Sequence, residues 1–175
     1  TIMEPAIRAL YSKRTNRPAD APAEAITWHL KHSRMFVSMD AITEDPLKPG
    51  PGYAEFKCVN RFVMRQFKQE GIRRSYILQM QSGLACSGFG WGSFGILSLD
   101  PWEFSWFDVE ADQELQVMVA SKVNEFWDIL QHGSLPTRLE NDHDPRCFRC
   151  PYRVTCRGSE FSSAPAAEEG QGAVI

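Results

Sequence analysis

Glu55, Phe56 and Lys57 stand in residues 53–59 (YAEFKCV), whose β-branched and aromatic content predicts a strand. Alternate side chains of a strand share a face, so Tyr53, Glu55, Lys57 and Val59 point one way and Ala54, Phe56 and Cys58 the other. Alone, a carboxylate and an ammonium two positions apart make an ordinary ion pair. Asp40 changes that reading. It ends the preceding strand, and the turn at residues 45–52 (DPLKPGPG) folds that strand back, bringing Asp40 and Glu55 side by side at one end of a hairpin. Two adjacent carboxylates repel unless a cation lies between them. Hard oxygen ligands in this number suit Mg2+ or Mn2+, with water and a substrate phosphate completing the shell. Lys57 then orients or deprotonates an attacking water and balances charge that builds on the phosphate.

A second group with ligand chemistry lies late in the chain, where DPRCFRCPYRVTC holds Cys147, Cys150 and Cys156. Thiolates at such spacing suit either an iron–sulfur cluster or a structural zinc. His143 is a further candidate ligand for zinc. The five cysteines are an odd count, against a paired disulfide framework, and with no basic-then-apolar leader they point to a reducing, cytoplasmic setting.

The elements that must position these residues can be read from pattern. Residues 3–14 predict a helix with Ile7, Leu10 and Tyr11 on one face, and Pro18 to Pro22 a connector. Residues 24–32 and 34–42 predict a hairpin whose turn is framed by His29 and His32. After the strand at 53–59, helices are expected at 61–70 and 74–87, parted by Gly71. Strands follow at 93–99 and 102–110, then a long helix at 111–131. The order gives an α/β fold with a mixed sheet flanked by helices. The 175 residues allow one domain with a full core: a core unit at 1–135, a cysteine-rich segment at 136–158 and a flexible tail at 159–175. The chain opens at Thr1 within a helix, which predicts further residues upstream. No apolar run approaches the ~18 residues of a membrane span, and there is no phosphate loop or dinucleotide glycine fingerprint.

Asp40, a fifteen-residue step, then Glu55-x-Lys57 resembles the motif of the PD-(D/E)XK nuclease superfamily, with its restriction-endonuclease-like core. The surroundings are similar to the RecB-like phage recombination exonucleases typified by lambda exonuclease and the YqaJ-type viral nucleases. In those, a helical glutamate precedes the aspartate, where Glu4 stands here. A later helix carries a tyrosine and glutamines, matched by Tyr76 to Gln81. Met39 stands where the motif has proline. The resemblance implies a Mg2+-dependent deoxyribonuclease, an exonuclease of recombination, repair or phage DNA processing. Glu4, Asp40 and Glu55 would handle the metal, with the Phe56 carbonyl as a further ligand. Lys57 would activate water, and Gln79 would position water or phosphate. The cysteine triad resembles that of iron–sulfur nucleases of the CRISPR-adaptation and AddB-like kinds. This implies a [4Fe–4S] cluster, with zinc as the alternative, and a fourth cysteine upstream of Thr1. It also offers a second function, trimming of DNA ends in CRISPR adaptation. A third reading is an inactive, DNA-binding partner subunit. The implied partners are DNA and a single-strand annealing protein, with a homo-oligomer allowed, no membrane, and a place in bacterial or phage-infected cytoplasm.

The net charge of −3 hides segregation. From Lys57 to Arg74 there are six basic residues and one acid, and Arg61, Arg65, Lys68, Arg73 and Arg74 extend away from the motif as a DNA-backbone track. Residues 103–114 hold five acids and no base. The five tryptophans are assigned mostly to strand and helix core, leaving room for one to stack on an unpaired base.

Overall fold

The structure is a computed structural model, described for residues 2–24, 26–32, 34–133, 137–141, 144–148 and 150–158. Helix α1 (Glu4–Thr15) has a proline in its first turn and ends where Asn16 takes a left-handed φ of 55°. Short strands β1 (Ala19–Asp20), β2 (Thr27–Trp28), β3 (Phe36–Val37) and β4 (Ala41–Thr43) precede the long β5 (Gly52–Val59). Helix α2 (Arg61–Glu70) starts where Asn60 accepts the Val63 N–H at 3.0 Å and stops at Gly71. Helix α3 (Arg74–Ser87) then leads to β6 (Trp91–Leu99), β7 (Trp102–Glu110) and α4 (Gln113–Gln131).

The main sheet runs β1-β4-β5-β6-β7. Only β5 and β6 are parallel, joined by the α2–α3 crossover; the other neighbours are antiparallel. This is the mixed, helix-flanked sheet the sequence implies. Side-chain alternation along β5 divides the core. Ala54 and Phe56 join Ile7 and Tyr11 of α1 on one face, while Tyr53 joins Met64, Phe67, Met80 and Leu84 of α2 and α3 on the other. Gly83 of α3 permits that second contact, because a Cβ there would overlap the Tyr53 ring. Gly83→Ala is therefore expected to cost about 1–3 kcal/mol through overpacking. The denaturation midpoint reads it, and an unchanged midpoint would mean the ring moves aside freely.

One end of the sheet is held by charge. Arg17 meets Asp108 through two bonds of 2.8 and 2.9 Å and Asp45 at 2.6 Å, with Trp91 beneath its guanidinium. Burial raises the Asp108 carboxyl, but the bonds from Arg17 and Ser93 prevail and hold it below the usual range. Lys48 joins Glu110, and Lys68 joins Glu103. The acids of 103–114 are thus partly neutralised by distant bases, and the segregation of charge is weaker than the sequence suggests.

Other expectations change as well. Ala19 and Asp20 are not connector but a sheet strand, since Thr43 Oγ1 donates to the Pro18 carbonyl beside them. The predicted hairpin shrinks to a separate two-stranded ribbon of β2 and β3, and Asp40 precedes β4 instead of ending a long strand. Cys58 is exposed, not core: full burial along β5 ends at Phe56. Trp28, Trp102 and Trp106 are also exposed.

The chain divides into two compact units, Thr1–Asp128 and Ile129–Ile175. The second contains the short helices α5 (Pro145–Phe148) and α6 (Arg153–Arg157). Arg146 binds Asp144 through two nitrogens and holds its carboxyl at about 2. Arg157 donates to the Leu139 carbonyl and to Cys147 Sγ. Among the described residues no helix is long and apolar enough to cross a membrane.

Candidate active site

The β4–β5 ladder pairs Ala41 with Ala54, and continuing it one step sets Asp40 opposite Glu55. One step further the backbone pairing gives way to a side chain, as Asp40 Oδ2 accepts the Phe56 N–H at 2.7 Å. The N–H and C=O of one strand residue point to the same side, so the Phe56 carbonyl also faces the Asp40 side.

Glu55 is 4% exposed. Its Oε1 accepts from Lys57 Nζ at 2.5 Å and from Gln79 Nε2 at 2.7 Å, and its Oε2 accepts the Tyr53 hydroxyl. Burial first, then the Glu55 charge, raises the Tyr53 pKa well above the usual phenol range, so this hydroxyl stays a donor. The Lys57 ammonium lies 5.4 Å from the centroid of the Tyr76 ring, which itself stacks on Phe67. Lys57 is therefore held between a carboxylate and an aromatic face.

Glu4 and Asp40 line a cavity of about 470 Å³ together with Arg8, Ser38 and Met39. Burial pushes the Asp40 carboxyl up to about 6; the Phe56 N–H opposes this, and the charges of Glu55 and Glu4 add to it. Asp40 thus feels the charge of two further carboxylates, Glu55 and Glu4. Among the described residues, however, no three His, Cys, Asp or Glu side chains are grouped so as to hold a metal ion. Two carboxylates and a carbonyl still match Mg2+, which is commonly bound by one or two carboxylates plus waters and substrate phosphates.

The structure therefore brings Asp40, Glu55, Lys57 and Gln79 together, with Glu4 lining the same cavity as Asp40. Alternation already set Tyr53 on the Glu55 face, and the family likeness included Tyr76, but neither gave their contacts with Glu55 and Lys57. Arg8 in the cavity was missed outright. The placement of Tyr76 and Arg8 depends on packing between elements. Arg61 and Arg65 are exposed, with Arg61 over the Phe62 ring. Lys68 is engaged by Glu103, Arg73 donates to Gln66 at 2.9 Å, and Arg74 is exposed.

The cysteine segment gives no such convergence. Cys147, Cys150 and Cys156 are all described, yet they form no group able to hold a metal, so their placement does not support the [4Fe–4S] or zinc expectation. Arg157 instead donates to Cys147 Sγ at 3.7 Å. His143 and Arg149 lie outside the described residues.

The YqaJ-like viral recombinase domain matches residues 1–90, just over half the chain and the stretch that holds Glu4, Asp40, Glu55, Lys57 and Gln79. The chain belongs to the YqaJ-like viral recombinase family. Among solved structures this YqaJ-like chain resembles the alkaline exonuclease LHK-Exo from Laribacter hongkongensis at 23% identity and a TM-score of 0.64. A structure of LHK-Exo in complex with dAMP matches at 24% identity and a TM-score of 0.65. Each match covers 75% of this chain and 66% of LHK-Exo, so the YqaJ-like chain spans just under two thirds of that protein. At these identities the likeness shows the fold, a mixed five-stranded sheet flanked by helices. A search of curated protein sequences finds no match. The family match stops before the cysteine segment.

Proposed function

We propose that this chain is a metal-dependent DNA exonuclease acting in recombination, repair or phage DNA processing. The observation that carries the reading is the meeting of Asp40, Glu55 and Lys57 at one end of the β4–β5 pair. Asp40, Glu55 and the Phe56 carbonyl are the residues that would hold Mg2+ or Mn2+. Such an ion, when bound, supplies Lewis acidity and lowers the pKa of a coordinated water.

The chain's own groups do the rest. The Lys57 ammonium, steered by the Tyr76 ring, faces the attacking water and offsets charge gathering on the phosphate oxygens. Gln79 and Tyr53 fix the Glu55 carboxylate from both sides, so its lone pairs keep one direction. Glu4 accepts protons or orients water in the cavity it lines with Asp40, and Arg8 meets a non-bridging phosphate oxygen there. The chain's natural partners are DNA and a protein that anneals the strand left behind, and its place of work is the cytoplasm of a bacterial host.

Digestion of end-labelled linear duplex and closed circular DNA with Mg2+ tests the reading. Linear DNA is expected to shorten from its ends and circles to survive. Cutting of closed circles would overturn the exonuclease assignment, and intact linear DNA in Mg2+ and Mn2+ would overturn the nuclease itself.

Duplex DNA would meet the protein along α2, where Arg61 and Arg65 project one turn apart. Arg61→Ala or Arg65→Ala is expected to weaken binding about equally on all sequences, and each lost phosphate contact should reduce the salt slope by roughly one. Binding titrations over a range of salt check this, and a loss confined to particular sequences would contradict it.

A further inference from the structure

The β2–β3 ribbon presents an aromatic surface that neither the core nor the proposed active site uses. Trp28 and Phe36 are a directly opposed cross-strand pair, with ring centroids 4.9 Å apart, tilted by 50° and each 54% exposed. The other face of the ribbon is spent on packing: Val37 joins the α2–α3 core, and Met35 packs with Cys86 and Ala120. The two rings therefore point away from the protein.

Charge accompanies them. Residues 25–39 hold Lys31, Arg34 and two histidines, with Glu24 and Asp40 flanking them and Asp128 paired to Arg34. Lys31 is exposed beside Leu30, which is 95% exposed at the turn. The turn is stiffened from within, where His29 Nδ1 accepts the backbone N–H groups of Lys31 and His32 at 3.0 and 3.2 Å. It is braced from outside by the Arg34–Asp128 pair at 2.9 Å and by Trp127 Nε1 on the Arg34 carbonyl at 3.3 Å. A turn held in this way keeps the two strands that carry the rings in place, which lowers the ordering cost when a planar ligand stacks on them.

We infer that this ribbon is a platform for single-stranded DNA, on which unpaired bases stack against Trp28 and Phe36 beside the cation of Lys31. Exposed rings on a ribbon whose turn presents the Lys31 ammonium suit a ligand that combines π-faces with negative charge, as unpaired nucleotides do. Duplex DNA keeps its base faces inside its own stack and cannot use the rings. The platform also leads into the site. Phe36 and Asp40 are four residues apart, at most about 14 Å along an extended chain, and Ser38 between them lines the cavity with Asp40. The inference rests on the nuclease reading for its role: a strand entering or leaving Asp40 and Glu55 passes over the ribbon.

The test uses the full chain with Ca2+ in place of Mg2+, labelled oligo(dT) and a blunt duplex, read by fluorescence anisotropy. Trp28→Ala and Phe36→Ala are each expected to weaken oligo(dT) binding roughly tenfold, the scale of one lost base–aromatic stack, while Trp28→Phe retains it. Duplex affinity and melting temperature should stay at the wild-type level, since both rings are exposed. Unchanged oligo(dT) affinity would overturn the platform, as would equal loss on duplex. A fall in oligomeric mass in Trp28→Ala would also overturn it, by assigning the rings to a contact between copies. The two readings fail separately: absent cleavage with Trp28-dependent oligo(dT) binding removes the nuclease alone, and normal cleavage with unaltered oligo(dT) binding removes the platform alone.

Discussion

Lys57→Ala is expected to slow cleavage of linear DNA by about a thousandfold, the scale of losing a positioned proton-transfer group or transition-state cation. DNA affinity measured in Ca2+ should barely change, because Lys57 faces inward to Glu55 and Tyr76 and not onto the exposed surface of α2. The substitution has a second signature. The Glu55 side chain is 6% exposed, and removing its ammonium partner leaves a buried carboxylate held by Tyr53 and Gln79 alone. The metal-free protein should then melt lower, and added Mg2+ should restore more stability to the variant than to the wild type. Initial rates and melting curves together check this. Wild-type cleavage by Lys57→Ala would end the catalytic assignment, whatever the melting curves show.

Asp40→Asn should abolish cleavage and yet stabilise the metal-free protein at about pH 8. The carboxyl of Asp40 is pushed from an ordinary 3.8 up to about 6, chiefly by burial, so folding favours its neutral form. Its contribution to stability is complete below about pH 4 and is lost as pH rises through about 6. An asparagine oxygen can still accept the Phe56 N–H without bringing charge, so the variant escapes that loss. The difference in melting temperature between the two proteins should open between about pH 4 and pH 7 and close below it. In the wild type, Mg2+ should raise the melting temperature at neutral pH and progressively less below about pH 6, where protons compete for the same oxygen. The variant should show no Mg2+ response. A wild-type melting temperature that ignores both pH and Mg2+ over this range would remove Asp40 from the metal site.

Strand β5 was legible because its information is local. Alternation fixes which side chains share a face of β5, and a turn rich in proline and glycine fixes what lies opposite, so Asp40 could be set against Glu55 before any coordinates. Gln79 was accessible only through family likeness, since a glutamine on a helix face carries no signal of its own. Tyr76 over Lys57 and Gly83 beneath Tyr53 depend on how α3 crosses β5, which no short-range pattern encodes. The exposed Cys58 and Trp28 misled for a related reason. Apolar type predicts burial only where another element covers the position, and coverage is a property of packing. The cysteine expectation rested on spacing, which permits thiols to converge without obliging them to, and among the described residues they form no group that could hold a metal.

The single parallel pairing in the sheet sets an order of assembly. Asp40 and Glu55 are brought together by a turn that the growing chain completes on its own, whereas β5 meets β6 through partners such as Tyr53 and Gly92, 39 positions apart. Closing that longer loop is slower and must wait for more of the polypeptide. Tyr76 and Gln79 ride on the crossover that closes with it. A nascent chain would thus own its acidic pair well before Tyr76 and Gln79 reach Lys57 and Glu55, so on the proposed function any cutting activity would arise only once the crossover had docked.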